Sequence, residues 1–271
     1  MSAAFSAGAL DPQGVAQHLS PACRTALRLQ VQPQVTSTNL LLRRQAEQGA
    51  PEGTALLADA QTAGRGRLGR QFYSPEGTGL YLSLLLRPAA LPLDRAVHIT
   101  TMAAVAVCRA IEELGGGPAQ IKWVNDVLMD SRKLCGILTE AMIEGETGTV
   151  SSLIAGIGVN LRPNPAWPNE VRTVAGALSE FGKVPRRAEL AAAILSRFER
   201  AYSLLEQGQQ AELLARYRSR LCCIGREITV IGPAAKYEAL CTGLDENGHL
   251  LVRDKSGQEH TLSSGEISIR F

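Results

Sequence analysis

The sequence predicts an α+β fold, a mixed sheet with helices followed by a small all-β unit. Three observations carry this. Apolar runs of strand length and of helix length are interleaved, without the strict alternation of a doubly wound parallel sheet. Several of the strands read as hairpin partners. From Gly225 the texture changes to short strands split by polar turns, "GREITVIG", "YEALCTGLDENGHLLVRD" and "QEHTLSSGEISIRF", which suggests a small C-terminal β-barrel. A chain of 271 residues suits one large and one small domain. The expected divisions are an extension over 1–34, a main domain over 35–222 and the small barrel over 223–271.

Taken in order, the extension is Ala- and Gln-rich and offers one short helix near "DPQGVAQHL". "STNLLLRRQAEQG" follows as a helix, with Ser37 or Thr38 as its cap and Gly49 as its stop. "TALLADA" (54–60) and "GTGLYLSLLLRP" (77–88) are buried strands. Residues 94–114 place Val97, Thr101, Ala104, Val105, Cys108 and Ile111 on one helical face, and Gly115–Gly117 close the helix. "IKWVNDVLM" and "KLCGILTEAMI" predict a hairpin turning at Asp130–Arg132, and "SSLIAGIGVNL" is a further strand. A loop with Pro163, Pro165 and Pro168 leads to helices over 186–206 and 209–221. In the last unit "DENG" carries the Asn-Gly hairpin signal.

Composition excludes several classes. Apolar residues are 45% and charged residues 20% of the chain, the balance of an ordinary globular protein. A net charge of +2 implies no nucleic-acid or anionic-membrane partner, so any strong positive field is local. No apolar run approaches the roughly 20 residues that span a bilayer, and the first ten residues lack the pattern of a signal peptide. The six cysteines form no C-x-x-C and none has a zinc-like partner spacing. They read as reduced core thiols of a cytoplasmic protein.

Residues 64–70, "GRGRLGR", spell G-x-G-x-x-G with Gly64, Gly66 and Gly69. A dinucleotide fingerprint needs a strand before it and a helix after it. Here the strand is present, but Pro75, Gly77 and Gly79 and another strand follow. No G-K-[ST] follows either, which rules out a P-loop. What remains is a flexible loop with three glycines for close backbone approach. Its three arginines, Arg65, Arg67 and Arg70, present permanent forked donors for carboxylates and phosphates. Lys122, Asn125, Asp126 and Lys133 cluster around the predicted hairpin beside Trp123. Read alone, Asn125–Asp126 also suits an Asx turn, "STN" at 37–39 a helix cap, and "GIGVN" at 156–160 a closely packed strand.

The segments "STN", "QTAGRGRLGR", "KWVNDVLMDSRKLCGIL", "AGIGVNL" and "GEISIR" occur in the order and approximate spacing of the biotin protein ligases, and from about residue 35 to the end the chain resembles that family. The resemblance implies a mixed sheet like the class II aminoacyl-tRNA synthetase core, with helices on one side, and a C-terminal SH3-like barrel. It implies activation of biotin by ATP to biotinyl-5′-AMP, with Mg²⁺ as cofactor, and transfer to a lysine of a biotin carboxyl carrier protein domain. Substrate carboxylate is then the nucleophile, and catalysis is electrostatic. Carried onto this chain, Lys133 and Arg67 would be the catalytic cations. Ser37, Thr38, Asn39, Gln61, Gly64, Arg65, Gly66, Trp123, Leu134, Gly136 and Gly156 would hold or line biotin. Arg70, Lys122, Asn125 and Arg270 would join Arg67 and Lys133 around ATP. Asp126 would serve Mg²⁺, and Glu266 would bring the barrel near the nucleotide. The implied enzyme is a monomer or homodimer.

The chain departs from the family pattern twice. Val124 stands where the common run has Pro, and Leu262 stands where some members place a Trp against adenine. Two alternatives belong to the same resemblance. Lipoate or octanoate ligases and transferases share the fold without this Gly-Arg loop, and a transferase would need a nucleophilic Cys or Lys. A regulatory protein sensing biotinyl-adenylate would need a helix-turn-helix domain, for which 1–34 is too short, so no operator binding is expected.

Overall fold

Two sheets organise the chain, seen in a computed structural model that describes residues 10–88, 91–144, 149–232 and 236–269. The large sheet holds β1 (Arg28–Val35), β2 (Thr54–Gln61), β3 (Gly79–Leu86), β4 (Gln120–Lys122), β5 (Asp126–Met129), β6 (Arg132–Glu144) and β7 (Thr149–Asn160). Their order is β1-β2-β3-β7-β6-β5-β4. The β1–β2 pair is parallel and every other pair is antiparallel, so the sheet is mixed, as expected.

β1 is the element the sequence hid. "RLQVQPQV" alternates weakly, because an edge strand buries little, and Pro33 is tolerated only because one side of the strand has no partner. β1 crosses the division drawn at residue 34, so the extension and the main domain share one sheet. Before it stand two short helices rather than one, α1 (Pro12–His18) and α2 (Pro21–Ala26). Asp11 and Ser20 cap them, each followed by a proline in the first turn.

The two faces of the sheet differ. On one, α4 (Val97–Glu113) lies between the sheet and the helices α6 (Arg187–Glu206) and α7 (Gln210–Arg218). It is therefore buried almost all round, including His98, Met102 and Val107 off the predicted face. On the other, α3 (Thr38–Glu47) packs Leu42 and Ala46 against Leu56, Leu85 and Ile154. The expectation of helices on one side only is thus corrected. Alternation along β3, β6 and β7 sends Ser83, Gly136, Gly156 and Gly158 to the α3 side and leaves that face open beyond the helix.

The hairpin between β5 and β6 turns at Asp130 and Ser131, both with left-handed backbone (φ 44° and 65°), the geometry of a two-residue turn. The stretch "IKWVNDVLM", read as one strand, instead breaks at 123–125 into β4 and β5, which pair with each other. Asn125 enforces the reversal. Its backbone oxygen accepts from Ile137 N (3.0 Å) and its Nδ2 donates to Ile137 O (3.0 Å). The Tyr217 hydroxyl, wholly buried, donates to the Val124 carbonyl at 2.9 Å.

The small sheet comprises β8 (Glu227–Ile231), β9 (Lys236–Leu244), β10 (Leu250–Asp254), β11 (Glu259–Leu262) and β12 (Glu266–Ile269), ordered β11-β10-β9-β8-β12 and antiparallel throughout. The final strand returns beside the first, the SH3-like arrangement. The "DENG" turn forms as expected, with Asp245 Oδ1 accepting from Asn247 N and His249 N. Trp123 Nε1 donates to the Gly248 carbonyl of that turn at 3.3 Å, which docks the small sheet on the large one. All six cysteines are free and buried. Among the described residues no helix is long and apolar enough to cross a membrane.

Two outcomes follow from these contacts. Tyr217→Phe leaves the buried Val124 carbonyl without its donor and should lower unfolding free energy by about 1–2 kcal/mol in urea titration. Glu112 is held below the usual carboxylate range chiefly by its hydrogen bonds from Arg220 (2.6 and 2.8 Å). A depressed folded pKa means that this pair stabilises fully above the unfolded value, roughly 4.3, and that the gain is lost as pH falls through the folded value. Arg220→Gln should therefore be less stable than wild type near pH 7, and the gap should close on acidification.

Candidate active site

A cavity of about 490 Å³ opens on the α3 side of the large sheet, where the glycines of β6 and β7 leave the floor bare. Gly136, Gly156, Gly158 and Asn160 form the floor, and the first residues of α3 form one end. The Gly-Arg loop and the β4–β5 turn form the sides. The stretch around α5 (Asn169–Arg172) contributes Trp167, Val171, Val174 and Ala175, and β12 contributes Glu266, Ser268 and Ile269.

The α3 end is polar and fixed. Ser37 Oγ caps the helix by accepting from Leu40 N. Gln61 Oε1 accepts from Thr38 N (2.8 Å) and Thr38 Oγ1 (3.1 Å), while Gln61 Nε2 donates to Ser74 Oγ (2.9 Å). Ser83 Oγ lies 2.7 Å from Thr38 Oγ1 and 2.6 Å from Asn39 Oδ1. Asn39 Nδ2 donates to Leu138 O and to Glu140. These groups are at most partly exposed, and Ser37, Thr38 and Asn39 are buried.

The Gly-Arg loop, expected to be flexible, is a hydrogen-bonded hairpin. Phe72 N donates to Gly64 O (2.9 Å), Gly66 N to Arg70 O (2.7 Å) and Arg70 N to Arg67 O (3.1 Å). Its tip is Leu68, exposed and left-handed (φ 55°). Inside the hairpin Phe72 lies over the floor, and a Cβ at Gly158 would come within 2.6 Å of its ring.

Each loop cation has a partner across the cavity. Arg67 Nη1 donates to Asn125 Oδ1 and Nη2 to the Gly265 carbonyl, both at 2.8 Å. Arg70 makes two 2.7 Å bonds to Glu266 and so holds that carboxyl below the usual range. Arg65 pairs with Glu140 at 3.0 Å and Lys133 Nζ with Asp126 at 2.7 Å. Arg67 and Lys133 therefore meet on neighbouring residues, 125 and 126, in a single cavity. Lys133 is further fixed by its backbone, whose N–H donates to Val174 O (2.7 Å) and whose carbonyl accepts from Gly176 N (2.9 Å).

Most of the sequence-selected residues converge here. Ser37, Thr38, Asn39, Gln61, Arg65, Gly66, Arg67, Arg70, Lys122, Trp123, Asn125, Asp126, Lys133, Gly136, Gly156 and Glu266 all line the cavity. Two do not. Leu134 points the other way and is fully buried in the main core. Gly64 serves the hairpin, since a Cβ there would fall 2.3 Å from Phe72 O. Gly156 has a different use from the one expected, because the space it leaves is taken by the Asn39 amide, 2.1 Å from where a Cβ would stand. Leu262 packs on the core rather than lining the cavity. Arg270 lies outside the described residues. Sequence reasoning missed Phe72, Trp167 and Glu140, and within "GIGVN" it gave a site role to Gly156 but none to Gly158 or Asn160. Only the spacing of Gly156 and Gly158 along one strand face signalled any of them.

Comparison with known proteins agrees with this geometry. Residues 30–160 match the model of the Biotin/lipoate A/B protein ligase family, and residues 223–270 match the Biotin protein ligase C terminal domain. The Bifunctional ligase/repressor BirA of Bacillus subtilis is 36% identical over 232 residues, covering 85% of this chain and 70% of that one. The Biotin–[acetyl-CoA-carboxylase] ligase of Mycobacterium tuberculosis is 30% identical over 264 residues, 95% of each chain. The solved biotin protein ligase from Aquifex aeolicus, in complex with biotin and ATP, superposes with a TM-score of 0.76 at 33% identity, covering 90% of this chain and 98% of that one. With the cationic cavity, the glycine floor and the appended small sheet all in place, the chain belongs to the biotin protein ligase family.

Proposed function

We propose that this protein activates biotin with ATP and transfers it to a lysine of a carboxylase carrier domain. The observation that carries the reading is the meeting of Arg67 and Lys133 on Asn125 and Asp126 in one cavity. In support, the Aquifex aeolicus relative was solved with biotin and ATP, and the Mycobacterium tuberculosis relative is named for the biotin–[acetyl-CoA-carboxylase] ligase reaction.

The chemistry follows from charge. A biotin carboxylate oxygen bonds to the α-phosphorus of ATP, and the bond to the leaving pyrophosphate breaks. Both partners are anions, so approach and departure need fixed cations. Lys133 would sit where carboxylate meets phosphate, and Arg67 would close over the same point. Lys122 and Arg70 suit the outer phosphates. The fixed polar end at Ser37, Thr38, Asn39 and Gln61 suits the ureido ring, and Trp123 and Phe72 supply apolar wall. In the second half-reaction the carrier amine attacks the acyl carbon, AMP leaves, and the amine gives up a proton.

Among the described residues no three carboxylate, His or Cys groups cluster for a metal. Mg²⁺ bound to a triphosphate keeps several waters and takes only one or two protein carboxylates. Asp126, facing the cavity, fits that role, and a full protein cage is not required. The ion would neutralise phosphate charge.

The transferase alternative is disfavoured by its nucleophile. Cys135, two residues along the chain from Lys133, is fully buried, and burial pushes its pKa well above the usual thiol range. The reading also places the protein in the cytoplasm, where six free thiols stay reduced.

Lys133→Ala should cut biotin-dependent pyrophosphate release by about 10²–10³-fold, the scale set by loss of one transition-state donor. Release at the wild-type rate would remove Lys133 from the mechanism. Arg67→Gly should let the adenylate escape faster, measured as the half-life of protein-bound labelled biotin after removal of free ATP, and should make lysine labelling of bystander proteins less selective.

A further inference from the structure

Glu140 lies on β6 outside the cavity lining, yet it joins two parts of the wall. Its Oε2 accepts from Asn39 Nδ2 at 2.8 Å, at the polar end. Its Oε1 pairs with Arg65 Nη1 at 3.0 Å, in the Gly-Arg hairpin. The carboxylate is mostly buried, at 18% side-chain exposure, while Arg65 is 46% exposed.

The first arm fixes Asn39. With Nδ2 donating to both Leu138 O and Glu140, and Oδ1 taking the Ser83 hydroxyl, the amide is held in one orientation. Gly156 leaves the space that this orientation needs. The second arm holds the loop near its start, two residues before Arg67. Both arms belong to one rigid group on a central strand, so the arrangement of the pocket end and the seating of the loop share an anchor.

We infer that Glu140 is a positioning residue that couples the ring-binding end of the cavity to closure of the Gly-Arg loop. This rests on the proposed ligase reading. A ligand that settles at Asn39 holds the carboxylate in place for Arg65, and a seated loop holds it in place for Asn39. Each lowers the ordering cost of the other. The bridge touches neither the acyl carbon nor the phosphates, so it governs retention rather than the chemical step.

The test uses the full chain with biotin, MgATP and no carrier. In Glu140→Gln one arm survives as an amide–amide contact and the ion pair is lost. Dissociation of the bound adenylate should quicken about three- to ten-fold, the range of a partly exposed ion pair and its coupled neighbour. The biotin concentration for half-maximal single-turnover adenylation should rise by a similar factor, while the single-turnover rate of pyrophosphate release at saturating biotin stays within about two-fold. Glu140→Asp keeps the charge but is one methylene too short to reach both partners, and it should resemble Gln. In Arg65→Met, adding Glu140→Gln should cause less further loss of retention than it causes alone. Wild-type retention in Glu140→Gln, full rescue by Asp, additive effects in the double variant, or a slowed single-turnover rate accompanied by lower stability would each overturn the bridge. If wild type itself forms no biotin-dependent adenylate, the ligase reading fails instead, and the two failures are told apart by that control.

Discussion

Asn125 is the residue through which the site is held together. It spends its backbone carbonyl and its Nδ2 on Ile137, which fixes the β4–β5 turn against β6, and it offers Oδ1 to Arg67. The turn places Asp126 beside Lys133, and Arg67 reaches on to the barrel at Gly265. Three pieces of chain far apart in sequence (the loop, the turn and the barrel) are therefore linked through the Asn125–Arg67 pair. An amide suits this position, because a carboxylate lacks the donor that Ile137 O needs and a lysine lacks the acceptor that Arg67 needs.

The floor beneath depends on missing side chains. At Gly136 an added Cβ would meet the Lys133 side chain and the Phe72 ring at 3.3–3.4 Å, at Gly156 it would strike the Asn39 amide, and at Gly158 the Phe72 ring. The opposite face of the same strands is packed with Leu84, Leu153, Ala155 and Val159 against the helices. Stability and function are thus divided between the two faces of one sheet, with the core side free to be dense because the cavity side is left bare. The second helical layer, α4 under α6 and α7, buries apolar surface all round and gives the strands a rigid base.

What the sequence made legible follows the same division. Strands β2 and β3 and helix α4 declared themselves, because continuous burial produces continuous apolar runs. The hairpin turn was visible within a residue, expected at Asp130–Arg132 and found at Asp130–Ser131, and the Asn-Gly turn before Leu250 was visible through turn chemistry. β1 was not, since an edge strand with one exposed face carries little apolar signal and a proline argues against it. The break at Trp123–Asn125 was only half visible: Asn125–Asp126 suited an Asx turn, but the bonds that force the reversal come from Ile137 and Tyr217, far along the chain. In the site, the cations and the amide groups were readable by residue type. Phe72, Trp167 and Glu140 were not, because their roles come from contacts with partners remote in sequence: the glycine floor, Tyr73 beside the loop, and the pair Asn39 and Arg65.

The electrostatics of the cavity resolve an apparent conflict in the composition. A net charge of +2 over the whole chain gives no general attraction for a polyanion, yet five cations, Arg65, Arg67, Arg70, Lys122 and Lys133, gather at one cavity. Left unpaired they would repel one another and pay to lose water. Glu140, Glu266 and Asp126 each neutralise one of them, and Arg67 rests on the neutral oxygens of Asn125 and Gly265. The cavity is thereby kept near a local excess of two positive charges, with four of its cations already oriented. In the proposed reading a nucleotide's phosphates would exchange with carboxylate partners rather than order free side chains, so the entropic cost of fixing four of the five long side chains would be met in folding and not in binding. The same pairing selects what can enter. A neutral molecule gains nothing by parting Lys133 from Asp126, whereas a ligand with several phosphate charges more than replaces the contact it breaks.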